Sequence, residues 1–230
     1  MHRFYAENFQ NAKAQLTLDE AHHALKVMRL NIGDKVEVFD GKGNTAIAII
    51  SATSKREVEL DLTEIKEGWD KKLNLPAIAI APTKNINRYE WFVEKATEIG
   101  VSCIYPILCS HSERKNLRID RLQKLILSAT KQSQRTVLPR IEELQSFSKF
   151  IENNKYEQNL IGYCDDNILN SKVENNLKTC FLIGPEGDFS IDEFKLAVKK
   201  EFKPITFGHA RLRTETAGIF ACSTFQNAFK

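Results

Sequence analysis

The sequence predicts an α/β protein in two modules: a small β-rich barrel at the N-terminus, then a larger domain with a largely parallel sheet. Three observations carry this expectation. Up to about residue 65, apolar and polar residues alternate with period two in short runs, as strands with one buried face do. From residue 73 the rhythm changes to an apolar run followed by an amphipathic stretch, repeated several times, which is how strands covered by helices read. Between them, Lys66-Glu67-Gly68-Trp69-Asp70-Lys71-Lys72 reads as a linker, dividing the chain into 1–70 and 73–230; 230 residues suffice for two cores.

The elements follow in order. A helical pattern over 19–30 comes first, with Asn31-Ile32-Gly33-Asp34 ending it through the positive φ that glycine adopts freely. Lys35-Val36-Glu37-Val38-Phe39, residues 45–50 and residues 57–62 are the strands, joined by the turn Asp40-Gly41-Lys42-Gly43-Asn44 and the polar stretch 51–56. In the second module 75–81 is a strand and 88–99 a helix with Tyr89, Phe92, Val93 and Ala96 at helical spacing. Residues 102–108 form a strand, 117–135 a long helix, 147–153 a short helix, 159–164 and 179–183 strands, 191–200 a helix and 204–207 a strand. The last helix starts near Thr214, with Ala217, Phe220, Ala221, Thr224, Phe225 and Ala228 on one face.

Composition excludes several classes. Hydrophobic residues at 42% with charged residues at 27% rule out a mainly disordered chain. The longest apolar runs, 46–50 and 77–81, fall far short of the roughly 18 residues of a membrane helix. No apolar signal-type stretch follows Met1, so the cytoplasm is the expected location. Cys103, Cys109, Cys164, Cys180 and Cys222 are scattered without CxxC spacing, which points to reduced thiols and to no metal site. His22-His23 begins no ligand motif either, since helical neighbours point about 100° apart. The net charge of +3 hides a local excess: residues 110–140 carry 8 basic side chains against Glu113 and Asp120. On a helix Arg121, Lys124, Ser128, Lys131 and Arg135 fall on one stripe beside an apolar face of Leu122, Leu125, Ile126 and Ala129, which suits either a solvated face or phosphate contacts.

Two loops draw attention. Leu182-Ile183-Gly184-Pro185-Glu186-Gly187-Asp188-Phe189-Ser190 leaves a buried strand and enters a helix whose Ser190 and Glu193 have capping-box spacing. It lacks the glycine spacing of dinucleotide and P-loop sites, so a nucleotide phosphate is not implied. Phe207-Gly208-His209-Ala210-Arg211-Leu212-Arg213-Thr214-Glu215-Thr216-Ala217 repeats the strand-to-helix passage, with Thr214 as the expected helix cap. Either loop alone is compatible with an ordinary turn and a surface Arg213/Glu215 pair. Together, at one edge of one sheet, they converge on a crevice of the kind where α/β proteins bind ligands.

These loops, with His23, Val27-Met28-Arg29-Leu30, Gly33-Asp34, Asp40-Gly41, Glu94-Lys95-Ala96-Thr97-Glu98-Ile99-Gly100-Val101, Ser112-Glu113-Arg114, Gln132, Arg135 and Pro139, resemble the RsmE family, the 16S rRNA uridine-N3 methyltransferases of the SPOUT superfamily. The resemblance spans nearly the whole chain. It implies a PUA-like RNA-binding β-barrel followed by a SPOUT α/β domain with a deep trefoil knot, and a homodimer whose active site borrows from both subunits. S-adenosyl-L-methionine is the implied cofactor, held by Leu182, Gly184, Glu186 and Gly187 in one loop and Gly208, Leu212, Arg213, Thr214 and Ala217 in the other, with Ile161-Gly162-Tyr163 as a third wall. The implied partner is 16S rRNA in the small ribosomal subunit, contacted by Arg29, Arg114, Arg121, Lys124, Lys131 and Arg135; no metal and no membrane enter. Two departures stand out: Asp188 where the family usually has a second glycine, and Lys131 where a glutamate is common.

Uracil N3 holds its proton at neutral pH, so methylation there needs a proton acceptor and a cation to steady the anion. Glu215, Glu186 or Glu113 is the candidate acceptor, and Arg135 or Arg213 the candidate cation. The competing readings are an RNA-binding ribosome-assembly factor without catalysis, and a methyltransferase for another RNA base.

Overall fold

The computed structural model describes residues 1–163 and 171–227. Cys164 and Ala228 lie outside these residues. The chain divides into two compact units, Met1–Leu73 with Thr130–Leu138, and Asn74–Ala129 with Pro139–Lys230.

In the first unit β1 (Arg3–Gln10), β2 (Lys13–Leu16), β3 (Lys35–Phe39), β4 (Asn44–Thr53) and β5 (Val58–Glu67) close into a barrel in the order β1-β2-β5-β4-β3. Closure comes from the parallel pairing of β1 with β3, in which Arg3 faces Glu37. Alternation fixes what points inward: Val36, Val38, Ala46, Ala48, Ile50, Val58 and Leu60 are buried in one cluster with Phe4, Ala6 and Leu16. β1 and β2 lie outside the runs expected as strands, β2 because its alternation spans only four residues.

The helix expected over 19–30 is shorter and changes character. α1 (Leu18–His22) passes into a π-helical turn at His23–Val27, and the Met28 N–H reaches back to the His23 carbonyl at 3.0 Å. Arg29 then takes the left-handed region (φ 55°) and Leu30 N–H bonds the Ala24 carbonyl, which closes the helix four residues before Gly33. Gly33 serves at the entry to β3 instead, donating to the Ile50 carbonyl at 2.8 Å.

The expected linker over 66–72 is likewise part of this unit. β5 runs to Glu67, and Asp70 is 1% exposed. Its carboxylate accepts from the Thr136 N–H (3.0 and 3.1 Å), the Thr136 hydroxyl and the Val137 N–H (3.3 Å). A backbone segment from much later in the chain is thus tied to this end of the barrel.

The second unit contains β6 (Ala77–Ile80), α2 (Ile86–Ile99), β7 (Cys103–Leu108), most of α3 (Ile119–Gln132), β8 (Arg140–Ile141), β9 (Gln145–Ser146), α4 (Phe147–Asn153), β10 (Gln158–Gly162), β11 (Thr179–Ile183), α5 (Ile191–Lys199), β12 (Lys203–Ile205) and α6 (Thr214–Asn227). The sheet runs β12-β10-β11-β6-β7-β8, with β9 also beside β7, and every pairing is parallel. β6 and β11 are buried throughout, which is why they read as unbroken apolar runs. From β12 at the sheet edge the chain returns to lay α6 against α2, β6 and β11. Gly218 permits that approach, since a Cβ there would stand 2.5 Å from the Phe92 ring.

Candidate active site

Because β10, β11 and β12 are parallel neighbours, their C-terminal ends open at one edge, and three loops leave from there. The loop after β11 is held rigidly. Asp188 N–H closes a turn onto the Pro185 carbonyl at 2.9 Å, and Asp188 itself sits in the left-handed region (φ 63°), one that aspartate tolerates better than most residues. Its Oδ1 accepts from the Phe189 N–H at 2.8 Å, so a side chain supplies locally what glycine would leave to backbone freedom. Burial raises the Asp188 carboxyl above the usual carboxylate range. From the far side His111 Nδ1 meets the Gly187 and Asp188 carbonyls at 3.1 and 3.0 Å.

The expected capping box begins α5: Ser190 Oγ accepts from the Glu193 N–H and Glu193 Oε2 from the Ser190 N–H. Glu193 Oε1 also accepts from Ser110 N–H at 2.8 Å, which locks this helix start to the loop after β7.

The loop between β12 and α6 turns at Gly208, whose φ of +113° demands glycine although a Cβ there would touch nothing within 4 Å. Thr214 is the first residue of α6 and not its cap, because the Arg213 carbonyl already accepts the Ala217 N–H at 2.8 Å. Arg211 reaches across to the Glu186 carbonyl at 3.4 Å and joins the two loops.

Between these loops lies a cavity of about 260 Å³. Gly184, Glu186, Gly208, Leu212, Arg213, Thr214 and Ala217 line it, together with Gly162, Tyr163 and Phe207. Leu182 lies outside its lining because its side chain points into the sheet core, and Gly187 because it packs against His111. Asp188 and Arg211 line the cavity without having been singled out as ligand contacts; Asp188 showed itself in the sequence only as a departure from the family pattern. Apolar walls from Tyr163, Ile183, Phe207 and Leu212, with charged groups at Glu186, Asp188 and Arg213, suit a ligand that carries both apolar and charged parts.

A second cavity of about 330 Å³ opens beside Asn87, Arg88, Trp91, Arg213, Glu215 and Thr216, so Arg213 borders both. Glu215 is 6% exposed, with Oε1 3.8 Å from Arg88 Nε.

The other candidates are placed differently. Glu186 Oε1 accepts from Lys84 N–H at 2.9 Å, and Glu113 pairs with Lys84 Nζ at the surface at 2.8 Å. Arg114 donates to the Thr83 and Lys84 carbonyls at 3.0 and 2.7 Å and braces the loop after β6. Arg121 is exposed and pairs with Glu90 at 2.8 Å, while Lys124 and Arg29 are exposed.

Arg135 and Lys131 are placed differently from the stripe expected on one helix. α3 ends at Gln132 and Gln134 turns at φ 57°, so the chain leaves the helical stripe before Arg135. Arg135 belongs to the first unit, 4% exposed, with Nη1 3.7 Å from Asp70 and its guanidinium 5.0 Å from the centre of the Trp69 ring. Arg135 thus sits off the exposed stripe that the helix was expected to carry. Lys131 is committed to Glu20 at 2.8 and 2.9 Å, over the Phe4 ring.

With this geometry the likeness to known proteins can be read. The family described as "RNA methyltransferase domain" matches residues 71–226, and "RNA methyltransferase PUA domain" matches 16–63. A Rickettsia conorii protein named "Ribosomal RNA small subunit methyltransferase E" is 30% identical over 92% of this chain and 88% of its own length. The crystal structure of a probable rRNA-methyltransferase from Porphyromonas gingivalis is 34% identical and superposes with a TM-score of 0.85, covering 99% of this chain and 98% of that one. A ribosomal RNA small subunit methyltransferase E from Neisseria gonorrhoeae, bound to S-adenosyl methionine, is 26% identical with a TM-score of 0.83, over 99% of this chain and 97% of that one. On sequence and on architecture, the chain belongs to the RsmE family of RNA methyltransferases.

Proposed function

We propose that this protein is the S-adenosylmethionine-dependent enzyme that methylates N3 of one uridine in 16S rRNA of the small ribosomal subunit. The observation that carries the reading is the cavity at the ends of β10, β11 and β12, in a chain that matches a cofactor-bound relative over almost its whole length. Gly184, Glu186, Gly208, Leu212, Arg213, Thr214 and Ala217 would hold the cofactor. When bound, it supplies a methyl group already activated by a positively charged sulfur.

The chain's own task is then to seat the uridine, accept its N3 proton and shield the resulting charge. Glu215, buried beside Arg88 and Arg213, is the proton acceptor in this reading, and Arg213, on the wall of both cavities, is the cation. Glu186 and Glu113 are less suited, since each is engaged with Lys84. The barrel unit, with Arg29, and the outer face of α3, with Arg121 and Lys124, supply RNA contacts.

The reading brings its finer points with it. The trefoil knot is supported by the path of the chain from edge strand β12 back to α6 against β6 and α2. A homodimer whose active site borrows from both subunits belongs to the same reading. A cytoplasmic location goes with a ribosomal RNA substrate in this reading.

Incubation with tritiated S-adenosylmethionine and small subunits lacking the modification, followed by nucleoside mass analysis, tests the proposal. Appearance of 3-methyluridine at one site is the expected result. Cofactor binding without label transfer to small subunits or free rRNA would overturn the assignment of substrate, and no cofactor binding at all would favour an assembly factor.

A further inference from the structure

The second cavity lies between the first turns of α2, with Asn87, Arg88 and Trp91, and the start of α6, with Arg213, Glu215 and Thr216. Three features of it point to a ligand. Glu215 Oε2 is buried and has no hydrogen-bond partner among the described residues. Such an orphaned atom costs about 1–3 kcal/mol, and whatever satisfies it must bring an N–H or O–H. The side chains around it are donors: the guanidiniums of Arg88 and Arg213 and the amide of Asn87. Finally Trp91 leaves 45% of its surface exposed at the rim, and a base stacked on such an indole gains about 1–3 kcal/mol.

We propose that this cavity seats the acceptor base and selects an imide edge, the carbonyl, N–H, carbonyl run of uracil, with Glu215 Oε2 accepting the N–H, the arginines meeting the carbonyls and Trp91 stacking on the ring. The assignment rests on the methyl-transfer reading and deepens it, because Arg213 borders both cavities and a base seated here adjoins the cofactor wall. Cytosine presents a lone pair and an amino group along the same edge. It would leave the buried oxygen facing a lone pair, and a site built around a hydrogen bond rejects such an analogue strongly.

Trp69 and Trp91 are the two tryptophans of the sequence, so Trp69→Phe leaves the Trp91 indole as the single reporter. This protein is titrated at low salt, with S-adenosylhomocysteine present, with a short oligoadenylate carrying one central uridine or one central cytidine. The uridine probe is expected to quench Trp91 and to bind at least about tenfold more tightly than the cytidine probe, roughly 1.4 kcal/mol. Glu215→Gln, which offers an N–H to the cytosine ring nitrogen, brings the two within about threefold. Trp91→Ala, an exposed position, keeps the parent's circular dichroism and raises KM for rRNA more than it lowers kcat.

Equal affinity for the two probes in the parent overturns the proposal. So does Trp91 emission that follows protein concentration and ignores RNA, which would mean that a second copy covers the ring. A parent that methylates rRNA yet shows no uridine preference at Trp91 sinks the base seat alone; a parent that methylates no RNA sinks the enzymatic reading, and the seat with it.

Discussion

Removing the Asp70 carboxylate tests whether Arg135 is structural. Asp70 is 1% exposed and holds the Thr136 N–H, the Thr136 hydroxyl and the Val137 N–H, while Arg135 lies 3.7 Å away and 4% exposed. Asp70→Ala leaves the Thr136 and Val137 donors without this acceptor and takes a carboxylate away from beside the buried Arg135 guanidinium, a change that costs about 3–5 kcal/mol. With a urea slope of about 2 kcal/mol per molar, a loss of about 4 kcal/mol moves the midpoint down by about 2 M. Trp69 stacks on Arg135, so its fluorescence in a Trp91→Phe background follows this unit alone. Asp70→Asn retains acceptor capacity and is expected to cost less than half as much. Asp70→Ala combined with Arg135→Met is expected to recover part of the loss, because the guanidinium that the carboxylate helped to balance is then gone as well. A midpoint shift below about 0.5 M for Asp70→Ala, or a double variant as damaged as the two single losses added, would refute the account.

Other perturbations have equally direct outcomes. Gly208→Ala, at φ +113° with open space around it, is expected to weaken cofactor binding in calorimetry by backbone strain of about 1–3 kcal/mol while the urea midpoint of the whole chain hardly moves. Lys131→Ala leaves buried Glu20, among the described residues, with the Tyr5 N–H, and is expected to cost about 1–3 kcal/mol in stability without changing the salt dependence of RNA binding. Arg121→Ala or Lys124→Ala should reverse that pattern, lowering the slope of log affinity against log salt by about 0.7–0.9 per charge removed. Burial pushes the Cys103 thiol up to about 11, so it keeps its proton where an unfolded chain's thiols lose theirs. The stability it lends is complete below about pH 9 and declines as pH rises through about 11, by up to about 3 kcal/mol, and Cys103→Ala should flatten that part of the pH curve in denaturant titrations.

The α/β unit is legible in the sequence because its strands are buried on both faces. Residues 77–80 and 179–183 read as strands from composition alone, and Ser190 with Glu193 marks a helix start by a local rule that nothing distant overrides. The barrel is half legible: β3 to β5 alternate cleanly, whereas the opening strand mixes aromatic and charged residues and shows its pattern only once β2 and β3 flank it. At the site, the two loops carry their own turn signals, and most of the expected ligand residues share a cavity. Arg135 misleads because a stripe drawn on an ideal helix assumes the helix continues, and this one stops three residues earlier. Asp70 and Glu20 are illegible for another reason. Their partners, Thr136 and Lys131, stand 66 and 111 residues away, and no local spacing encodes such a pairing.

That long reach bears on how the chain acquires its structure during synthesis. The barrel strands are complete by residue 67, yet the segment that satisfies Asp70, and whose Leu138 N–H bonds the Gly41 carbonyl, is translated about 65 residues after the unit's first part ends. At about 5–20 residues per second the nascent barrel waits several seconds with an unanswered carboxylate at its edge. A gene fragment cut after Leu73 would carry the same defect permanently, and its complement would bear Thr130–Leu138 with nothing to dock on. The two units can therefore be inherited, expressed or swapped only as one reading frame, even though each has a core of its own.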